Sequence, residues 1–343
     1  SNFLPSLNQM AELYYRNLEY DKALLLTRRA ISISTHDGES NYYYGLVNAQ
    51  LGNIADAKDG FSLAALTPSY RGAAYTELAK LYVTEENYKK AEEYANKALY
   101  YNAGNITAYK LKAVSARKSG NKEAALETIA MIDQLDPLNH FAAFEKWLIS
   151  KSEKDKNNFI SNIQSELPYQ VFLEMASQYY RLANYEEALQ LLELSPAHAL
   201  VFYWKDFLNY KSGKSTGDGI AKGNAATPAF VLPFRAEEAE MLQWVIGQTE
   251  AWQPKYYLAL FYRDRNRLDV SKKLFSEIGD KPTVAFFYAS RAATIPENAE
   301  QDLLRANQLD KSEWRYIKAL GELYLDKGDA AKALSFAEPF YKS

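Results

Sequence analysis

Cysteine is absent from this 343-residue chain, which excludes disulfides and thiolate chemistry. The compartment stays open, because bacterial cytoplasm and periplasm both host cysteine-free chains. No stretch approaches the roughly 18 consecutive apolar residues that span a bilayer, so no membrane insertion is expected. No basic and then apolar segment marks the amino terminus for export. Charge of one sign is missing too: 40 basic against 43 acidic residues leave a net charge of −3. That balance offers no footing for nucleic acid or an anionic membrane. Histidine is scarce. His36, His140 and His198 lie in separate connections, and none has a second histidine or a cysteine at i+3 or i+4 to share a metal. Each reads as a solvated or capping residue, so no metal site is expected. Ser1-Asn2 stands where an initiator methionine would, like the remnant of a cleaved tag. Patterned sequence begins almost at once, so the chain reads as a piece of a longer protein.

What is present is periodic. Ala23, Ala57, Ala91 and Ala125 are 34 residues apart, as are Ala11, Gly45, Ala79 and Ala113, and again Ala30, Ala64, Ala98 and Ile132. Small residues in step at this period predict one helical hairpin, repeated and stacked. Alanine or glycine at mid-helix lets paired backbones approach, and larger side chains such as Tyr14, Tyr82, Phe61 and Leu99 fill the space between hairpins. Most of the 27 tyrosines read as such packing, with the hydroxyl reaching the surface. Glu19, Asn53, Asn87 and Asn121 recur at the bend of each hairpin, where left-handed backbone is expected. Asp136-Pro137 closes the fourth unit.

A 34-residue hairpin with small residues at its eighth, twentieth and twenty-seventh positions resembles the tetratricopeptide repeat. Ala11/Ala23/Ala30, Gly45/Ala57/Ala64 and Ala79/Ala91/Ala98 match all three positions. The fourth unit keeps Ala113 and Ala125, substitutes Ile132, and ends on Pro137. The resemblance implies an all-α fold: a right-handed α-solenoid of about nine or ten hairpins, some degenerate.

The expected organisation follows from where the register loosens. Residues 3–140 form a regular four-unit array, and 141–211 hold degenerate hairpins. There Trp147 and Phe159 replace small residues, and Lys151 to Asn158 reads as a polar connector. Residues 212–233 form an irregular loop insertion with four glycines, and 234–343 hold further hairpins. A helix rich in rings (Phe202, Tyr203, Trp204, Phe207, Tyr210) precedes the insertion. Residues 228–316 carry a looser resemblance, through Pro233-Phe234-Arg235, Trp244, Tyr256 to Leu260, Tyr288 with Arg291, and Trp314-Arg315. They are similar to the carboxy-terminal half of large bacterial proteins in which a mutarotase-like β-sandwich of unknown function precedes the repeats.

Motifs for chemistry are thin. Gly213-Lys214-Ser215-Thr216 lacks the earlier glycine of a phosphate loop, since position 208 is Leu208, and it follows a helix. Gly217 and Gly219 are followed by Lys222 where G-x-G-x-x-G needs glycine. Glu237, Glu238 and Glu240 suit the positive end of a helix better than acid–base work. No serine sits in a nucleophile elbow. No catalytic residue and no cofactor is assigned, and the chain is not expected to be an enzyme.

In the repeat family the first helix of each hairpin lines a concave face. Carried over by position, the resemblance implies a peptide-binding groove containing Tyr15, Arg16, Tyr42, Lys80, Lys110, Arg117, Tyr180, Arg181, Tyr256 and Arg263. Cations alternating with tyrosines suit an extended peptide. The lysine–asparagine clamp of chaperone-tail receptors is not reproduced, because Asn8 and Glu12 occupy its positions in the first unit. The expected function is a non-catalytic protein-interaction scaffold that binds a peptide segment or a partner domain, including another domain of the parent chain. The rival reading is the accessory repeat half of a carbohydrate-active or glycan-binding bacterial protein, with the aromatic helix stacking on sugar.

Overall fold

The structure, a computed structural model, describes residues 3–341. Among them are 21 α-helices, one short 3-10 turn at Pro296–Asn298 and no strand. The chain divides into two compact units. One runs through Pro196 and includes Lys211–Gly213; the other comprises Ala197–Tyr210 and the chain from Lys214 onward.

The first unit is a stack of six hairpins. They pair α1 (Leu4–Arg16) with α2 (Tyr20–Ile33), α3 (Gly38–Gln50) with α4 (Ile54–Ala64), and α5 (Pro68–Thr84) with α6 (Tyr88–Tyr101). Then come α7 (Ile106–Lys118) with α8 (Lys122–Leu135), α9 (His140–Ser150) with α10 (Glu153–Ser161), and α11 (Pro168–Arg181) with α12 (Tyr185–Glu193). Through the regular part of the stack, each second helix packs on the first helix of the next hairpin, α2 on α3, α4 on α5, α6 on α7 and α8 on α9. This is the all-helical solenoid expected from the 34-residue period.

The small residues act as predicted. Ala11, Ala23, Ala30, Ala57, Ala64, Ala79, Ala91, Ala98, Ala113 and Ala125 are all fully buried. Closest approach occurs in the second hairpin. A Cβ added to Gly60 would lie 2.8 Å from the Asn41 carbonyl oxygen and 2.8 Å from the Gly45 nitrogen, and one added to Gly45 would lie 2.6 Å from the Phe61 ring. Phe61 therefore fills the space that Gly45 leaves.

The bends differ from expectation by one residue. Leu18, Gly52, Glu86 and Gly120 hold the left-handed backbone, with φ of 59°, 79°, 57° and 81°. The next residues, Glu19, Asn53, Asn87 and Asn121, have negative φ and cap the second helices. Asn87 and Asn121 do so by accepting hydrogen bonds from the amides of Lys90 and Ala124. A side-chain acceptor is worth most at that place, because the first turn of a helix has amides without partners.

In the fifth hairpin the polar stretch after Lys151 is mostly helix. Ser152 caps α10 by accepting from the Asp155 amide, so only two residues connect α9 to α10. Trp147 and Phe159 replace small-residue contacts with rings: Phe144 lies 5.4 Å from Trp147 and 5.2 Å from Phe159 between centroids.

The second unit contains α13 (Ala199–Lys211, of which Lys211 belongs to the first unit), α14 (Gly219–Ala225) and α15 (Ala236–Ile246). Three hairpins follow: α16 (Gln253–Asp264) with α17 (Leu268–Ile278), α18 (Ala285–Thr294) with α19 (Ala299–Leu309), and α20 (Trp314–Asp326) with α21 (Ala330–Tyr341). In the α16–α17 hairpin the twentieth position is Ser271, whose hydroxyl donates to the Ala259 carbonyl at 2.8 Å across the helix pair.

The expected loop at 212–233 contains helix α14, laid against α13. Gly219 and Gly223 allow this, since added Cβ atoms would lie 2.4 Å from the Phe202 carbonyl oxygen and 2.3 Å from the Tyr203 ring. The Asp206 carboxylate accepts from the amides of Gly217 (2.8 Å) and Ile220 (2.7 Å). The Tyr203 hydroxyl donates to Asn224 at 2.8 Å.

Candidate functional site

The first helices of hairpins one to three carry a face of tyrosines and charges. Asn8 of α1 donates to Asp37 at 3.1 Å and to Glu39 at 3.2 Å, tying the first hairpin to the cap of α3. Asp37 also accepts from the Ser40 amide at 2.8 Å. Burial alone would raise its carboxyl, but the bonds from Ser40 and Asn8 outweigh that and hold it below the usual range. Glu12 pairs with Arg16 and with the Tyr43 hydroxyl; burial and then Glu12 push that phenol up. Tyr42 packs on Phe61 (5.8 Å) and Tyr70 (5.5 Å), and Tyr15 on Tyr20 (5.7 Å). Lys80 pairs with Glu77 on its own helix at 2.6 Å. Arg16, Lys80, Tyr15, Tyr42 and Tyr43 all keep exposed or half-exposed surface.

Lys110 and Arg117, assigned to the same groove, have other partners. Arg117 makes two bonds to Glu145 of α9 (2.6 and 3.2 Å) and one to Glu187 of α12 (3.0 Å). Lys118 reaches Glu187 at 3.0 Å, and the Tyr179 hydroxyl donates to Glu145 at 2.7 Å. Burial opposes the charge on Arg117, yet Glu145 outweighs it and raises the guanidinium further above its ordinary value. Lys110 lies 3.2 Å from Gln178 of α11, with its ammonium 5.0 Å from the Phe141 ring centroid; burial lowers its pKa. Hairpin four thus bonds to hairpin six past hairpin five, between residues 68 to 70 apart.

Sequence reasoning missed this network. The available signal was Glu145, an acid in the apolar run Phe141 to Ile149, where an uncompensated charge would be costly.

Of the remaining candidates, Tyr180 and Arg181 belong to the first unit, and Tyr256 and Arg263 to the second. Tyr180 packs on Tyr185 at 5.6 Å, and Arg181 is exposed. Tyr256 is a correction to the expected groove: only 3% exposed, it sits among Trp252, Phe275 and Phe287 with its hydroxyl 3.3 Å from Ser290. The cause is helix α16, in which Tyr256 to Tyr262 are all buried, so no side of that stretch faces solvent. Arg263 donates to the Ser290 carbonyl at 3.4 Å.

The rings offered for sugar stacking are mostly core. Tyr203, Trp204 and Phe207 are at most 1% exposed, and Tyr210 stacks on Trp244 at 5.1 Å. His36 lies between α2 and α3, His140 opens α9, and the His198 ring accepts from the Leu200 amide at 3.3 Å. Among the described residues no three His, Cys, Asp or Glu side chains gather as metal ligands, and no helix is long and apolar enough to cross a membrane.

No protein-family model matches the chain. It is 27% identical over 196 residues to the TPR repeat-containing protein YpiA of Bacillus subtilis (strain 168), a match covering 55% of this chain and 46% of that protein. The matched segment therefore spans less than half of the relative. Among solved structures, that from the functional characterization of Pseudomonas aeruginosa pilF aligns with a TM-score of 0.39 and 13% identity, over 65% of this chain and 89% of that one. Yeast Tom70 aligns at 0.30 and 15%, over 98% and 91%. The structure of Naa15/Naa10 bound to HypK-THB gives 0.32 and 13%, over 98% and 63%. Superpositions this loose carry no function across. The 34-residue register, the helix pairing and the YpiA match together describe a chain of tetratricopeptide-like hairpins.

Proposed function

We propose that this chain is a non-catalytic protein-interaction scaffold that holds a peptide segment or partner domain on the first-helix face of hairpins one to three. The observation that carries the reading is the contrast along the first unit. In hairpins four to six Arg117 and Lys118 are tied to Glu145 and Glu187, and Lys110 to Gln178. In hairpins one to three Tyr15, Tyr42 and Tyr43 keep accessible surface beside Arg16 and Lys80, whose acidic partners lie on their own helices. Pairs of that kind are weak, so a partner can displace them at little cost. Tyrosine supplies broad contact area with few rotatable bonds.

The match to YpiA supports a repeat protein and is silent on the partner. The test is affinity capture with quantitative mass spectrometry, comparing the native chain with Arg16→Glu/Lys80→Glu/Tyr43→Ala. Loss of specific captured proteins by the variant, with unchanged circular dichroism, is the expected result. An identical captured set refutes the face.

A further inference from the structure

We infer that the face of hairpins one to three selects a segment carrying a lysine or arginine, whose cation seats among the rings of Tyr42, Tyr43 and Tyr70 beside Asp37 and Glu39. The inference rests on the partner face proposed above and names the chemistry that face prefers. Its first ground is the distribution of charge. Glu12, Asp37, Glu39 and Glu77 stand there against Arg16 and Lys80, and these two cations are already held by Glu12 and Glu77. Asp37 and Glu39 have no cation among the described residues, and the Asn8 amide bridges them at 3.1 and 3.2 Å. Asp37 serves the cap of α3 by accepting from the Ser40 amide. Glu39 has no such duty: it is half-exposed, and among the described residues its one hydrogen bond is from Asn8.

The rings supply a second, independent ground. Elsewhere in these hairpins Tyr14 lies under Lys22, Tyr82 under Lys58 and Lys90, Tyr94 under Lys97, and Tyr101 under Arg71, each cation 4.3 to 5.3 Å from the ring centroid. Tyr42, Tyr43 and Tyr70 have no such cover among the described residues, and all three are half-exposed. They form one cluster, with centroids 5.9 Å apart between Tyr42 and Tyr43 and 5.5 Å between Tyr42 and Tyr70. Acids and rings are neighbours here. After burial, Glu39, Asp37 and Glu12 push the Tyr70 phenol up, and the Tyr43 hydroxyl bonds to Glu12. A cation over a ring is drawn to its face, and a carboxylate at the rim adds a charge-assisted bond. The other tyrosines obtain that cation from their own chain, and this cluster is left to take it from a partner. Arg16 of α1 and Lys80 of α5 remain for acidic groups of the same segment, so the face holds both signs.

Selection of displayed random peptides of about twelve residues against the intact chain tests this. Enriched peptides are expected to share one lysine or arginine. Exchanging it for norleucine or citrulline should weaken binding about tenfold by fluorescence anisotropy. That exchange is read on the native chain and does not depend on how a variant folds. Glu39→Gln and Tyr70→Leu, shown to be folded by matching thermal melts, should each weaken the cationic peptide by a similar factor. Toward Glu39→Gln the exchanged peptide should lose little more, because the charge that met the cation is already gone. Enriched peptides that fail on Arg16→Glu/Lys80→Glu/Tyr43→Ala but share no cation overturn the inference and leave the partner face standing. Cationic peptides indifferent to both Glu39→Gln and Tyr70→Leu overturn it too. Peptides that bind the triple variant as well as the native chain, or no enrichment at all, overturn the inference and the face together.

Discussion

Replacing Arg117 by methionine is the sharpest test of the bonds linking hairpins four, five and six. Methionine keeps most of the aliphatic stem but strips the charge from between Glu145 and Glu187, whose side chains are 0% and 7% exposed. Removing one partner from a buried ion network leaves carboxylates in poor solvent, which costs about 3–5 kcal/mol. Lys118 stays on Glu187 and Tyr179 on Glu145, which places the expected loss near the lower bound, at about 3 kcal/mol. Urea unfolding by far-ultraviolet circular dichroism reads this loss as a lower midpoint, and hydrogen exchange should show it in α7, α9 and α11 together.

The acid side supplies a second check. Burial works to raise the Glu187 carboxyl, but Arg117 and Lys118 outweigh it and leave it below its ordinary value. A depressed carboxylate adds stability that is present above the unfolded pKa, near 4.5, and is lost as pH falls through the folded value. Without Arg117 that term shrinks, so the gap between native and variant should narrow below that point. Replacing Arg117, Glu145 and Glu187 together by apolar residues should recover most of the loss. A single variant that loses under about 1 kcal/mol, or a triple variant as unstable as the single, refutes the reasoning.

Gly60→Ala should cost about 2–3 kcal/mol, since its Cβ would meet the backbone of Asn41 and Gly45, and differential scanning calorimetry should show a lower Tm. Glu86→Gly should be neutral or stabilising by up to about 1 kcal/mol, because it relieves left-handed backbone on an ordinary residue at some cost in chain entropy; clear destabilisation in urea would contradict it. Burial pushes His198 down to about 4. The unfolded chain then binds protons first, so stability should fall as pH drops from about 6.5 towards 4, and His198→Gln should flatten that window. A His198 imidazole titrating near 6.5 by NMR would defeat the idea.

The hairpin array was legible because its determinants are small residues in fixed step: Ala11, Ala23 and Ala30 have no other reason to recur at 34. The bends were nearly legible. Asparagine suits both a cap and a left-handed residue, and Asn87 and Asn121 had to be assigned by their bonds. Helix α14 was hidden because its glycines weaken a helix in isolation and serve here for approach to Phe202 and Tyr203. The partner face was legible only by analogy of position. Position names which residue points inward, but whether it is free depends on contacts 70 residues away, as Arg117 and Glu187 show. Tyr256 failed for a related reason: repeat register does not say how many sides of a helix are covered.

Leu18, Glu86, Ala183 and Asn266 adopt the same left-handed backbone that Gly52, Gly120 and Gly328 adopt elsewhere. A corner that forms without glycine is imposed by the two rods it joins, so its own identity is under loose selection. Hidden seams tolerate far less, since an extra methyl there strikes a neighbouring main chain. Hairpins descended from one ancestor should therefore drift first at their corners and last along their seams. Kinship among such chains would then outlast any resemblance in their loops.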